Sequence, residues 1–227
     1  MADKQTLVYG IFKEELKNRF LCTVNINGID LTCYIPSSCR LSNFVDLTGR
    51  TVILVETTTP KARTKYAVFA FEYKNSYILT NLSLANKIIE YNIKNRRFSF
   101  LGKRKLVSRE TVVGKYKADL FIEDTKTLIE IKSLLSFERK AVFPSVYSER
   151  AINQLVEISK LLDNGYKACY IFVSLNPFVK KIKINSSIRK YYKLFLQCRE
   201  KGMSVFGVSV KLINGKPVVC ARIQILD

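Results

Sequence analysis

The chain has 227 residues, with 38 Lys and Arg against 19 Asp and Glu, a formal net charge of +19 and no histidine. The missing histidine excludes Ser-His-Asp and Cys-His triads, His-ligated zinc and imidazole general-base catalysis, so any chemistry must run on carboxylates, Lys, Tyr or Cys. Apolar residues make up 48%, which supports a packed core rather than disorder, and the positive surplus favours a polyanionic partner, nucleic acid foremost.

The opening Met1-Ala2-Asp3-Lys4-Gln5 lacks the apolar region of a secretory signal. No run of about 18 apolar residues follows, so a cytoplasmic protein with no membrane partner is expected. Residues 7 to about 80 read as short strands. Arg19 to Ile26 alternates as a half-buried strand, Asn27-Gly28 supplies a tight turn, and Ile29 to Ile35 returns until Pro36. Thr51 to Val55 is a strand between Gly49 and Pro60, and Ala67–Tyr73 with Ser76–Thr80 suggests a hairpin around Lys74-Asn75. Five such strands predict a small β-barrel. Six cysteines (Cys22, Cys33, Cys39, Cys169, Cys198 and Cys220) form no C-x-x-C pair. They read as small buried hydrophobes in a reducing compartment.

From about residue 81 the pattern changes. Leu84, Ala85, Ile88 and Ile89 have helical spacing, which predicts a helix over 82–93. Strands follow at 105–113, 117–123 and 127–133. A helix over 148–163 is capped by Ser148, buries Ile152, Leu155, Ile158 and Leu162, and stops at Asn164-Gly165. Ala168 to Leu175 is apolar enough for a strand buried on both faces. A helix over 187–201 and a hairpin of 203–212 and 216–224, turning on Asn214-Gly215, complete the chain. The expectation is a two-domain α+β protein: a barrel in 1–80 and an α/β domain with a mixed sheet in 81–227.

The chemistry concentrates in Lys117-Ala118-Asp119-Leu120-Phe121-Ile122-Glu123, Asp124-Thr125 and Lys126-Thr127-Leu128-Ile129-Glu130-Ile131-Lys132. If Asp124-Thr125 is a two-residue turn, Asp119 falls opposite Glu130. Ala118, Leu120, Ile122, Ile129 and Ile131 then share one face, and Asp119, Glu130 and Lys132 the other. Opposed carboxylates repel, and a divalent cation such as Mg²⁺ or Mn²⁺ would relieve them. Lys132 would then orient water or stabilise charge on a phosphate. The same residues also suit a solvated hairpin face. This D-x10-E-x-K spacing resembles the core of PD-(D/E)XK nucleases, in which two acids bind metal and a lysine assists attack of water on a phosphodiester.

Phe20-Leu21, Arg109-Glu110, Asp119-Leu120, Glu130-Ile131-Lys132-Ser133, Phe143-Pro144 and Ser148-Glu149-Arg150 occur in one order. Leu155, Glu157, Ile158 and the apolar run ending Phe172-Val173 follow. That order resembles the sugar fermentation stimulation protein A family over nearly the whole chain. The resemblance implies an N-terminal OB-like barrel, a C-terminal PD-(D/E)XK nuclease-like domain, DNA binding and a role in sugar-utilisation regulation. It implies metal ligation by Asp119 and Glu130, a catalytic Lys132, and Glu110 completing the metal site. The departures are Tyr116-Lys117-Ala118 where many relatives have Ser-Arg-Ile before the Asp, Asn153-Gln154 where they have Lys-His, and Pro36-Ser37-Ser38-Cys39 for Pro-Asn-Thr-Gly.

Expected nucleic-acid contacts are Arg40, Arg50, Lys61, Arg63 and Lys65 on the barrel, with Lys117 and Arg150 on the second domain. Gln154 is expected to cap a backbone group. The leading expectation is a nucleic-acid-binding, Mg²⁺- or Mn²⁺-dependent phosphodiesterase acting on DNA or RNA, with DNA the favoured partner. The alternatives are a non-catalytic DNA-binding regulator of sugar-utilisation genes and, more weakly, an RNA- or ribosome-associated binder. Self-association as a homo-oligomer is left open.

Overall fold

The computed structural model describes residues 6–36, 40–58 and 61–227. The Ser37-Ser38-Cys39 segment and Pro60, both noted in the sequence, lie outside the described residues. The first six strands are β1 (Leu7–Glu15), β2 (Leu21–Ile26), β3 (Ile29–Tyr34), β4 (Thr51–Glu56), β5 (Tyr66–Tyr73) and β6 (Ser76–Leu79). They are ordered β3-β2-β1-β4-β5-β6, and a parallel bridge between Tyr34 and Ala67 joins β3 to β5. Strands β1–β5 therefore close into the barrel, while β6 stands outside it. The barrel was expected to use 76–80 as a member; β1 takes that place. The Asn27-Gly28 and Lys74-Asn75 turns form as expected, and Asn27, Gly28 and Lys74 all have positive φ. Asn and Gly accept that conformation at little cost, which fixes the β2–β3 register.

The second part contains α1 (Leu84–Asn92), β7 (Val107–Val113), β8 (Tyr116–Ile122), β9 (Thr127–Leu134) and β10 (Lys140–Phe143). It continues with α2 (Glu149–Asp163), β11 (Lys167–Ser174), β12 (Lys181–Ile184), α3 (Arg189–Glu200), β13 (Ser204–Ile213) and β14 (Lys216–Leu226). Its eight strands form one mixed sheet, β10-β12-β14-β13-β11-β9-β8-β7, in which β11 runs parallel to both β9 and β13. Helices α2 and α3 cover one face, where Leu155, Ile158 and Phe195 pack on Tyr170 and Phe172. Ser148 Oγ accepts from Ala151 N at 3.2 Å and starts α2.

The opposite face is shared with the barrel. Ile53, Ala70 and Leu79 belong to one buried cluster with α1, Ile129, Ile171, Val173 and Val208. The segment after β9 also reaches into the barrel. Phe137 lies 6.0 Å from Phe71 and 5.6 Å from Tyr73, ring centre to ring centre, and packs against the barrel core.

The β8–β9 turn differs in detail from expectation. A 3-10 turn covers Glu123–Thr125 and Lys126 is left-handed, so the strands end at Ile122 and Thr127. Asp124 enforces this shape: its carboxylate accepts from Leu106 N at 2.8 Å and meets Lys103 Nζ at 3.1 Å. The register is unchanged, because Leu120 pairs with Ile129 and Ile122 with Thr127, which sets Asp119 opposite Glu130.

Candidate functional site

Asp119 sits where β8 and β9 part. Its Oδ2 accepts from Ile131 N at 2.7 Å, replacing a strand carbonyl, and its Oδ1 accepts from Asn86 Nδ2 of α1 at 3.0 Å. Leu120, Ile122, Ile129 and Ile131 share the barrel-side core, as the alternation predicts. Ala118 does not join them; it packs under α2 with Tyr116. The strand changes facing at Asp119, opposite Glu110, which has a positive φ and interrupts the β7 side of the ladder.

Glu130 and Lys132 project from β9 toward α2 and pair with Tyr170 and Phe172 of β11. The Glu130 side chain is 3% exposed and that of Lys132 15%, and Nζ lies 2.5 Å from Oε1. Tyr116 donates its hydroxyl to the other Glu130 oxygen. Lys132 Nζ also donates to Gln154 Oε1 at 2.7 Å. Gln154 therefore does not cap a backbone group: its helix position faces the sheet, and the buried ammonium is the stronger partner. Burial raises the carboxyl of Glu130 above its ordinary value, Lys132 opposes that rise, and Asp119 adds to it. Burial also raises the Tyr116 hydroxyl, helped by the negative charge of Glu130, so Tyr116 remains a donor.

A cleft of about 530 Å³ opens beside this network between β7–β8 and the start of α2. Tyr116, Asp119 and Gln154 line it, whereas Glu130 and Lys132 sit one hydrogen bond behind Tyr116 and Gln154. Its lining carries four acids (Glu110, Asp119, Glu149 and Glu157) against Lys115, Lys117 and Arg150. The cleft is thus not the source of the chain's positive surplus, and a polyanion entering it would need a counter-cation.

Of the residues expected to act together, Asp119, Glu130 and Lys132 are gathered. Glu110 is on the rim, where its exposed carboxylate accepts from Lys117 Nζ at 2.6 Å and is held below the ordinary carboxylate range by that bond. Among the described residues no three acids are close enough together to hold a metal ion. The donor set still fits Mg²⁺ or Mn²⁺ with water completing the shell. The four oxygens of Asp119 and Glu130 each accept one internal bond, and a carboxylate oxygen has a second lone pair to offer. Arg150 and Lys117 line the cleft. Lys61, Arg63 and Lys65 are exposed on the barrel, and Arg40 is tied to the carbonyls of Leu16 and Lys17 at 3.0 and 2.9 Å. Tyr116 and Gln154 were not singled out as parts of the site by their chemistry. The available signal was a glutamine inside the α2 stripe of Ala151, Leu155 and Ile158.

The family model described as the sugar fermentation stimulation protein RE domain matches residues 83–216, and that described as the SfsA N-terminal OB domain matches residues 16–80. The chain belongs to the SfsA family. Among the family's curated members, the homologue from Caldanaerobacter subterraneus is 28% identical over 211 residues, 91% of each chain. That from Natranaerobius thermophilus is 25% identical over 228 residues, 97% of this chain and 94% of its own. A solved family structure, Pyrococcus furiosus SfsA in complex with Ca²⁺, is 22% identical and superposes with a TM-score of 0.79 over 98% of this chain and 96% of its own. It shares the fold of a barrel followed by a mixed sheet with helices. No helix among the described residues is long and apolar enough to cross a membrane.

Proposed function

We propose that this SfsA-family protein binds nucleic acid, DNA ahead of RNA, and hydrolyses its phosphodiester bonds with Mg²⁺ or Mn²⁺ held by Asp119 and Glu130. The observation that carries the reading is Glu130. It is a carboxylate 3% exposed, bonded to a lysine at 2.5 Å, set opposite a second acid that lines a cleft, and itself one hydrogen bond behind that lining. A fold keeps a buried charge of this kind at a cost in stability, and such groups concentrate where charge is used. The bound cation would lower the pKa of water and offset charge on the phosphate oxygens. Lys132, steadied by Glu130 and Gln154, has a third N–H to offer to that water or to a phosphate oxygen. Tyr116 fixes the far oxygen of Glu130. The Ca²⁺ of the Pyrococcus furiosus complex supports a hard, oxygen-seeking cation as the ligand class. Free, buried thiols at Cys22, Cys33, Cys169 and Cys198 fit the reducing cytoplasm as the place of action.

A second reading, a DNA-binding regulator without catalysis, is favoured by one observation: every oxygen of the acidic pair already has an internal donor. Labelled DNA and RNA incubated with Mg²⁺, Mn²⁺ or EDTA separate the two. Cutting that requires metal and disappears in Glu130→Gln and Lys132→Ala supports hydrolysis. Retarded bands without cutting in either metal support the regulator.

A further inference from the structure

The outer wall of the barrel is divided. On β4, β5 and β6 it is covered, since Ile53, Ala70 and Leu79 are buried against the second sheet. On β1–β3 it is open: Tyr9, Ile11 and Tyr34 stand on it exposed, and Phe20 is exposed at its end. Large apolar side chains gathered on one wall of so charged a protein mark a binding surface.

Three segments converge at one end of this wall. The Leu21–Tyr34 pair and the bond from Ile35 N to Phe20 O, 2.8 Å, set Phe20 beside Tyr34. The Tyr34–Ala67 bridge brings the start of β5, with Lys65 and Tyr66, to the same place. The Phe20 and Tyr34 rings lie within 25° of parallel with centres 6.4 Å apart, and the Arg19 guanidinium is 4.7 Å from the centre of Phe20. Lys65 Nζ is 5.3 Å from the Tyr66 ring. Exposed cations flank this end of the wall on two sides, Lys17 and Arg19 between β1 and β2 and Lys61 and Arg63 between β4 and β5. Of the acids nearby, Glu15 accepts from Leu41 N and Ser42 N, each at 2.8 Å, and Glu56 makes only a loose, exposed pair with Lys65 at 4.0 Å, which a phosphate would replace.

Ring faces interleaved with cations match the chemistry of an unpaired strand, in which each base offers a π-face and each linkage a phosphate. A duplex hides those faces in its own stack, and so cannot use the rings. We infer that this end of the barrel is a stacking platform for single-stranded nucleic acid. Phe20 and Tyr34 receive bases, while Arg19, Lys65 and the β4–β5 loop cations receive the backbone. The inference rests on the nucleic-acid part of the proposed function and not on its catalytic part.

The test is fluorescence anisotropy in EDTA, with labelled oligo-dT, oligo-rU and duplex DNA of about 20 nucleotides, long enough to span one barrel. The double variant Phe20→Leu with Tyr34→Leu keeps apolar bulk but removes the rings. Loss on either single strand of roughly 10-fold per ring, with duplex binding within about twofold of wild type, supports the platform. Equal losses on single strand and duplex, or no loss on any probe, overturn it. If circular dichroism shows that the variant does not fold, the wild type is photocrosslinked to a 4-thiothymidine oligonucleotide. Adducts on Phe20 or Tyr34 support the inference, and adducts confined to other residues overturn it. Ring-dependent binding without any cutting in Mg²⁺ overturns the catalytic reading alone, and cutting without ring dependence overturns the platform alone.

Discussion

Lys132→Ala removes the cation that faces Glu130 at 2.5 Å in a site where the carboxylate side chain is 3% exposed. Breaking a buried pair by deleting one partner leaves an uncompensated charge, which the protein escapes by protonating the acid. Protonation sets a ceiling on the cost. Glu130 has an ordinary value of 4.5, so holding it neutral at pH 7 costs about 3.4 kcal/mol, at about 1.36 kcal/mol for each pH unit above that value. The sign follows from the direction of the shift. A group whose folded value is raised contributes stability below its unfolded value and loses it as pH rises through the folded one. Lys132 limits that loss in the wild type, and without it the loss continues to grow.

Urea unfolding of both proteins at pH 5 and pH 7 reads the effect. The destabilisation of Lys132→Ala should be larger at pH 7 than at pH 5, by up to about 2.7 kcal/mol. The bond to Gln154 is also lost, but that contribution does not titrate, so the pH dependence isolates the ion pair. A difference between the two pH values smaller than about 0.5 kcal/mol would refute the argument that Lys132 is what keeps Glu130 charged.

Asp119→Ala should destabilise by about 1–3 kcal/mol, because Ile131 N loses its acceptor at 2.7 Å; Asp119→Asn, whose amide oxygen can still accept, should recover most of this in the same unfolding assay. Tyr116→Phe removes the hydroxyl donor to a buried carboxylate, should cost about 1.5–3 kcal/mol, and should lose less at low pH, where Glu130 is neutral; a cost independent of pH would contradict the assigned bond. Affinity for DNA should fall with salt by about 0.9 decade per decade for each phosphate neutralised, as measured by anisotropy across a salt series, and a flat response would sink the nucleic-acid reading.

What could be read in advance depended on whether the signal was local. The hairpins at Asn27-Gly28 and Asn214-Gly215 were legible because those residues accept positive φ, and the α2 start because Ser148 caps it. The register that opposes Asp119 and Glu130 survived an incorrect turn shape, since Asp124 reshapes the loop through Lys103 and Leu106 without inserting a residue. Strand β1 was not distinguished: its outward Tyr9 and Ile11 spoil the alternation, and the ladder shifts between Phe12 and Glu14. Strands β10 and β12 have four residues each, too few to stand out from their surroundings, and β12 offers only two apolar residues, Ile182 and Ile184. Tyr116 and Gln154 lie 14 and 22 residues from their partners in the network, so only the fold brings them there.

The placement of Phe137 has a mechanical consequence. Strand β9, which carries Glu130 and Lys132, ends at Leu134, and three residues later the same chain packs against the barrel core beside Phe71 and Tyr73. The boundary between the two family segments is therefore not a hinge. Loosening of the barrel around Phe137 would reach the strand bearing the acidic pair across only two intervening residues, Leu135 and Ser136. Excising residues 16–80 would strip that mooring and bare the apolar ground under Ile53, Ala70 and Leu79 in one act. The intact chain should accordingly melt as one unit, with the barrel serving as the clamp on the end of the strand that bears the acidic pair.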